Sequence, residues 1–137
     1  MRMKKKILII EDDQEIAGAF GEFLACKNYE VLTADDGLEG LKRLEELSGK
    51  IDLILTDMVM PYVSGMGVIS ITKKKYPRIP VLAITGAGAL PAAMAAEYHA
   101  DLVMQKPIDM HQMEKIIENL IWKREGEAAT ESEMSVH

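Results

Sequence analysis

Short apolar runs alternate along this chain with longer segments in which apolar residues recur at helical spacing. This alternation is typical of βαβ units, which build a parallel sheet. The sequence predicts five strands, over residues 6–10, 30–34, 51–56, 80–85 and 101–105. The most apolar of these runs, ILII and DLIL, indicate strands that helices cover on both faces. We therefore predict an α/β fold with a doubly wound parallel sheet.

The last helical segment has the clearest pattern. Its apolar residues line one face of a helix: Met110, Met113, Ile116, Ile117, Leu120 and Ile121. From residue 125 onward the sequence is polar and small and has no periodicity. We interpret residues 125–137 as a disordered polar tail or the start of a linker.

Composition narrows the function classes. The 137 residues suffice for one ordinary domain, and a net charge of −6 opposes general attraction to nucleic acid. With Cys26 alone, no intrachain disulfide can form. No apolar run approaches the roughly 20 residues of a spanning helix, so we expect a soluble, cytoplasmic protein without membrane insertion. The lysine runs at 4–6 and 73–75 are interpreted as solvated faces.

Chemically distinctive side chains stand where the predicted strands end. Glu11 and Asp12 follow the first strand, Asp57 follows the third, Thr85 ends the fourth and Lys106 follows the fifth. The carboxyl ends of parallel strands lie at one edge of a sheet, where such folds bind ligands. The three carboxylates would converge there, and their repulsion calls for a divalent cation or the lysine ammonium.

This combination predicts phosphoryl chemistry. Carboxylate oxygens suit Mg²⁺, and a carboxylate at Asp57 is placed to attack phosphorus and form an aspartyl phosphate. Thr85 and Lys106 would bind phosphoryl oxygens. Taken singly, these residues are as well explained as solvated acids, turn residues or caps; their joint placement at four strand ends favours a site. Asp13 is interpreted as the N-cap of the first helix.

Four segments carry a family resemblance. ILIIEDD, DLILTDMVMPYVSG, VLAITGAG and QKPID resemble, in this order, the motifs of a response regulator receiver domain of two-component signal transduction, of the single-domain chemotaxis type. The resemblance covers residues 5–124. It implies a flavodoxin-like receiver fold, with strand order 2-1-3-4-5 and five flanking helices.

The resemblance also implies roles for individual residues. Asp57 would be the phosphoacceptor, with Thr85 as the switch hydroxyl and Lys106 as the phosphate-binding lysine. The Mg²⁺ ligands would be Glu11, Asp12, Asp57 and the backbone carbonyl of Val59. A cis peptide bond is implied between Lys106 and Pro107.

The implied activity is signalling. A sensor histidine kinase or histidine phosphotransfer protein would supply the phosphoryl group in a phosphorelay. The domain would assist its own phosphorylation and dephosphorylation without being an enzyme with an external product. An output protein would bind at the face formed by the fourth helix, fifth strand and fifth helix, without direct contact to nucleic acid.

Other readings stay open on the sequence. The domain can be an interaction module that does not depend on phosphorylation, or a receiver segment of a longer regulator or hybrid kinase. A metal-dependent phosphatase acting on external substrates would need a wider cleft than these short loops supply.

The sequence departs from the family pattern at three places. Val103 stands where the family usually has an aromatic residue, and a β-branched side chain cannot swing as an aromatic one does. Ser64 stands in a loop where the family often has Asp, yet we expect it still to cap the third helix. The fourth helix, predicted over 88–100, is rich in alanine and offers little apolar bulk.

Overall fold

Nine elements make up the part of the chain that the computed structural model describes, which is residues 3–58, 64–86 and 99–135, with side chains through 127. In chain order they are β1 (Lys6–Ile10), α1 (Gln14–Cys26), β2 (Glu30–Ala34), α2 (Gly37–Glu46), β3 (Leu53–Asp57), α3 (Gly65–Lys75), β4 (Val81–Thr85), β5 (Leu102–Gln105) and α4 (Met110–Ser135).

The five strands form one parallel sheet in the order β2-β1-β3-β4-β5. This confirms the predicted α/β architecture and the 2-1-3-4-5 order. The strands predicted at 6–10 and 30–34 have the observed bounds, and the other three differ by one or two residues at their ends. The helix predicted over 88–100 falls almost wholly outside the described residues, so α4 here corresponds to the predicted fifth helix.

Two apolar clusters cover the two faces of the sheet. Successive strand residues point to opposite faces, so Ile7 and Ile9 pack with α1 and α4, while Leu8 and Ile10 pack with α2 and α3. All four side chains are buried. The continuous apolar runs in the sequence follow from this double cover, because neither face of the sheet meets water.

Polar caps begin each described helix. Asp13 accepts hydrogen bonds from the Glu15 and Ile16 backbone N–H groups, which confirms it as the N-cap of α1. Ser64 caps α3 by accepting from the Gly67 N–H, as predicted. Caps satisfy N–H groups that have no partner within the helix, and each stabilises its helix by about 1 kcal/mol.

The prediction of a disordered tail from residue 125 differs from the structure, in which α4 continues to Ser135. The apolar periodicity ends near residue 121, but the helix does not. Alanine and glutamate are strong helix formers, and extending an existing helix needs no new nucleus and no buried face. None of the helices within the described ranges is long and apolar enough to cross a membrane.

An anchor at the amino-terminal edge of the sheet holds α4 near residue 124. Arg124 Nη2 lies 2.7 Å from Asp52 Oδ1, and Arg124 Nη1 donates to the backbone carbonyls of Ile51 and Asp52. The other Asp52 oxygen accepts from the Lys6 backbone N–H at 2.7 Å. One carboxylate thus joins α4 to β1 and β3.

Candidate functional site

Three carboxylates meet at the carboxyl edge of the sheet. Glu11 follows β1 and Asp57 ends β3, and because these strands are neighbours, the two side chains lie side by side. Glu11, Asp12 and Asp57 each offer an oxygen within 4.8 Å of the others. Glu11 is 3% and Asp57 8% exposed, whereas Asp12 faces solvent. The convergence predicted from the strand ends is therefore present.

Lys106 supplies positive charge to this acidic cluster. Its Nζ lies 3.6 Å from Glu11 Oε1 and 3.7 Å from Asp57 Oδ2. The Lys106 backbone N–H donates to the Thr85 carbonyl at 2.8 Å, which fixes the start of the loop after β5. The peptide bond between Lys106 and Pro107 is cis, as the resemblance implied. The lysine, one of the two charge-balancing groups considered for the site, therefore lies beside both buried carboxylates.

The Asp57 carboxylate is held in a defined orientation. Its Oδ1 accepts a hydrogen bond from the Met58 backbone N–H at 2.8 Å, and its Oδ2 faces Lys106. Burial limits the number of conformations that the side chain can adopt. One carboxylate oxygen is therefore held by the backbone and the other lies beside a cation.

Thr85 ends β4, the strand next to β3. Thr85 is fully buried, and its hydroxyl has no hydrogen-bond partner among the described residues. A buried hydroxyl without a partner costs roughly 1–3 kcal/mol. Thr85 follows Ile84, which is the β4 partner of Asp57, so this hydroxyl belongs to the strand end next to the one that carries Asp57.

Burial in the cluster raises the pKa of Glu11 from 4.5 to about 7. The neighbouring Asp57 carboxylate adds to this rise by repulsion, and the Lys106 ammonium opposes it. The ionised form of Glu11 is thus costly without further positive charge. The donor set, three carboxylates with two of them buried, fits a hard divalent cation, because such cations prefer oxygen ligands.

The raised pKa of Glu11 makes stability depend on pH. In the unfolded chain the carboxyl has its ordinary pKa of 4.5, so between pH 4.5 and about 7 the folded chain keeps a proton that the unfolded chain has lost. The contribution of protonated Glu11 to the free energy of unfolding is therefore fully present below pH 4.5 and is lost as pH rises through about 7. With a metal chelator present, we expect the free energy of unfolding to fall by up to about 3 kcal/mol from this group between pH 4.5 and 8. Urea denaturation across this range measures it.

Glu11→Gln should remove this part of the pH dependence, because the amide does not titrate. Glu15→Gln, at an exposed position of α1, is the matched control and should retain it. An unchanged pH slope in Glu11→Gln would contradict the prediction.

Gly65, the first residue of α3, supports the site but was not among the predicted site residues. A Cβ at this position would lie 2.3 Å from the Asp57 carbonyl oxygen and 2.6 Å from the Met58 Cα. The Gly65 N–H also donates to the Met58 carbonyl at 3.2 Å. The Ser-Gly pair at the start of a predicted helix was the available signal. Val59, whose carbonyl the resemblance implied as a metal ligand, lies outside the described residues.

Comparison with known proteins identifies the class. The chain matches the response regulator receiver domain family over residues 7–118. The crystal structure of a response regulator receiver domain protein from Clostridium thermocellum superposes with a TM-score of 0.83 at 34% identity, covering 88% of this chain and 97% of that one. The chain belongs to this family and is a receiver domain of two-component signal transduction.

Two curated relatives are full regulators. Transcriptional regulatory protein GlrR of Escherichia coli strain K12 is 30% identical over 84% of this chain and 26% of its own length. Alkaline phosphatase synthesis transcriptional regulatory protein PhoP of Bacillus subtilis strain 168 is 31% identical over 96% of this chain and 54% of its own length. The chain thus spans 26% and 54% of these relatives.

Proposed function

We propose that Asp57 accepts a phosphoryl group from a phosphohistidine on a sensor kinase or a phosphotransfer protein. A carboxylate oxygen of Asp57 forms a bond to phosphorus, and the phosphorus–nitrogen bond of the donor breaks, leaving its electron pair on the imidazole nitrogen. The observation that carries this proposal is the buried Asp57 carboxylate, with one oxygen held by the Met58 N–H and the other 3.7 Å from Lys106 Nζ.

Two side chains are suited to hold the transferred group. The Lys106 ammonium already faces both buried carboxylates, and it would pair with a phosphoryl oxygen that adds charge beside it. The Thr85 hydroxyl, which has no partner among the described residues, would donate to a second oxygen. Phosphorylation would thereby draw the ends of β4 and β5 toward Asp57, which is how a local charge biases a two-state surface.

Magnesium is the proposed cofactor. Glu11, Asp12 and Asp57 would hold it, together with the backbone carbonyl of Val59. When bound, it neutralises carboxylate and phosphoryl charge. This role agrees with the raised pKa of Glu11, which burial and then repulsion by Asp57 produce, because a bound cation would favour the ionised form.

The output of the domain is proposed to be a protein contact. Two large apolar side chains support an output surface that includes β5 and α4: Leu102 is 40% and Trp122 76% exposed. The helix predicted over 88–100 would complete this face. The domain would act in the cytoplasm, would assist its own phosphorylation and dephosphorylation, and would not act on an external substrate. Residues 5–124 are the proposed extent of the receiver domain, and its occurrence as a single-domain protein stays a prediction.

Acetyl phosphate tests the proposal, because it supplies a phosphoryl group without a kinase. We expect intact-mass spectrometry to detect one phosphate adduct in the presence of Mg²⁺. A chelator should reduce the adduct at least about tenfold, because the carboxylates would then repel the incoming group. Absence of an adduct with Mg²⁺, or equal adduct with the chelator, would contradict the proposal.

A further inference from the structure

The surface at the amino-terminal edge of the sheet, opposite the acidic cluster, is grooved. Three adjoining depressions form the groove, and all three include Arg124. The first and second also share Gly49 and Ile51, and the first and third share Pro77 and Arg78. We call this surface the basic groove. It brings the start of the chain beside the end of α3 and the middle of α4.

The charge of the basic groove is opposite in sign to the net charge of the chain. Eight basic and three acidic side chains line it, although the chain carries a net charge of −6. Two of the acids are already neutralised within the fold, since Asp52 pairs with Arg124 and Asp101 with Lys73. Lys5 of the groove pairs with Glu125, and the other basic side chains include exposed lysines.

Three exposed lysines line the second and third depressions of the groove. Lys4, Lys50 and Lys123 lie at the surface, and no ion pair joins them to a carboxylate among the residues described. A partner with negative charge would therefore not have to displace an existing contact of these lysines. Each exposed ion pair contributes little to binding, so several together are needed for measurable affinity.

The floor of the first depression, in the middle of the basic groove, is apolar. Ile51 and Ile79 are buried beneath it, and Tyr76 and Pro77 form part of its wall. Tyr76 lies against Gly49, where a Cβ would come 2.4 Å from the ring and where φ is +73°. A side chain at this position would meet the Tyr76 ring at a backbone angle that residues other than glycine rarely adopt, so Gly49 helps to shape the groove.

We propose that the basic groove binds an acidic segment of a partner protein that carries apolar side chains between its acids. Charge complementarity calls for an anionic partner, and the apolar floor favours one with apolar side chains. A nucleic acid fits less well. Three carboxylates interrupt the groove, the chain is acidic overall, and Tyr76 already packs on Gly49 instead of being offered to a base. The groove lies at the other edge of the sheet from Asp57, so binding would not compete with the reaction there.

The test uses a fluorescein-labelled peptide of three Glu-Leu-Asp-Gly repeats, with three Gln-Leu-Asn-Gly repeats as its neutral counterpart. Fluorescence anisotropy with the full chain should detect binding of the acidic peptide at least about tenfold tighter than the neutral one at low salt. The affinity should fall as salt increases, because the contacts are exposed. Lys4→Glu/Lys50→Glu should weaken binding of the acidic peptide by at least about tenfold.

Lys42→Glu/Lys115→Glu is the matched control, because it changes the net charge equally at exposed positions outside the groove. It should bind the acidic peptide like the unsubstituted chain after correction for net charge. All four lysines are exposed or at the chain start, so both variants should fold, which circular dichroism checks. Absence of acidic-peptide binding, equal loss in the control, or tighter binding of a twelve-nucleotide oligothymidylate would overturn the proposal. Phosphate incorporation at Asp57 should be unchanged in both variants, which separates this test from that of the proposed function.

Discussion

Asp57→Asn is expected to abolish phosphate incorporation from acetyl phosphate. The amide is nearly isosteric with the carboxylate, but it is neutral and a poor nucleophile, so no bond to phosphorus should form. Intact-mass spectrometry should detect no adduct under conditions that label the unsubstituted chain. Removing one of two adjacent buried carboxylates should also relieve repulsion on Glu11, whose pKa Asp57 helps to raise. The variant is therefore expected to be at least as stable as the original chain without metal.

Asp13→Asn is the matched control for this variant. It makes the same chemical change two residues from Glu11, at an exposed position whose role is to cap α1. Asparagine caps helices about as well as aspartate. We expect Asp13→Asn to be labelled like the original chain. Equal labelling of Asp57→Asn and the original chain would mean that another residue accepts the phosphoryl group.

Gly65→Ala is expected to slow phosphate incorporation by roughly ten- to a hundredfold, because small displacements of a reacting group have effects of this size. The added methyl group would meet the Asp57 carbonyl oxygen at 2.3 Å and the Met58 Cα at 2.6 Å. Both are backbone atoms and cannot rotate away, so β3 and α3 must move apart at Asp57, the proposed phosphoacceptor. The same overpacking should lower the free energy of unfolding by about 1–3 kcal/mol. The initial rate of adduct formation and urea denaturation measure the two effects.

Gly18→Ala is the control for Gly65→Ala. Gly18 is an exposed residue inside α1, and a Cβ there would have no atom within 4 Å. The same change at this site should raise stability by up to about 1 kcal/mol, since alanine is the better helix former. Its phosphate incorporation should be unchanged. If Gly65→Ala reacted at the original rate, Gly65 would not position Asp57.

The strands were predictable because a strand that is buried on both faces has an apolar residue at nearly every position. A run such as Ile7–Ile10 is apolar at every position only if both faces of the strand are covered, and a parallel sheet with helices on both sides provides this cover. The first and last residues of the strands were predicted less accurately than the presence of the strands. The third strand was predicted over residues 51–56 and is Leu53–Asp57, because Ile51 is buried without belonging to the ladder.

The candidate site was predictable for a different reason. Acidic, hydroxyl and lysine residues stand directly after apolar strands, and parallel topology brings those positions to one edge. What the sequence could not provide was the support of Asp57 from the far side. Gly65 has no Cβ, and this allows the start of α3 to pack directly against the backbone at the end of β3. That requirement can be recognised only from the packing of the two elements.

The lysine runs were interpreted as solvated faces, and the structure modifies this for Lys5, which pairs with Glu125, and for Lys73. The Lys73 Nζ pairs with Asp101 and donates to the Ile79 carbonyl at 2.9 Å. Lys74 and Lys75 are exposed, as predicted. Residues far apart in the chain thus share one groove at the amino-terminal edge, and no local pattern links them.

By itself, the sequence determined the strands, the sheet and the residue types at the strand ends. Both the periodicity of buried residues and the alternation of strands with helices can be seen in short stretches of sequence. Only the tertiary structure decided how much each group is shielded from water and what it touches. That is why the pKa of Glu11 near 7, the close contact at Gly65 and the gathering of lysines into the basic groove were not predicted. Each depends on distances between residues that are remote in the chain, and electrostatic and steric energies follow those distances.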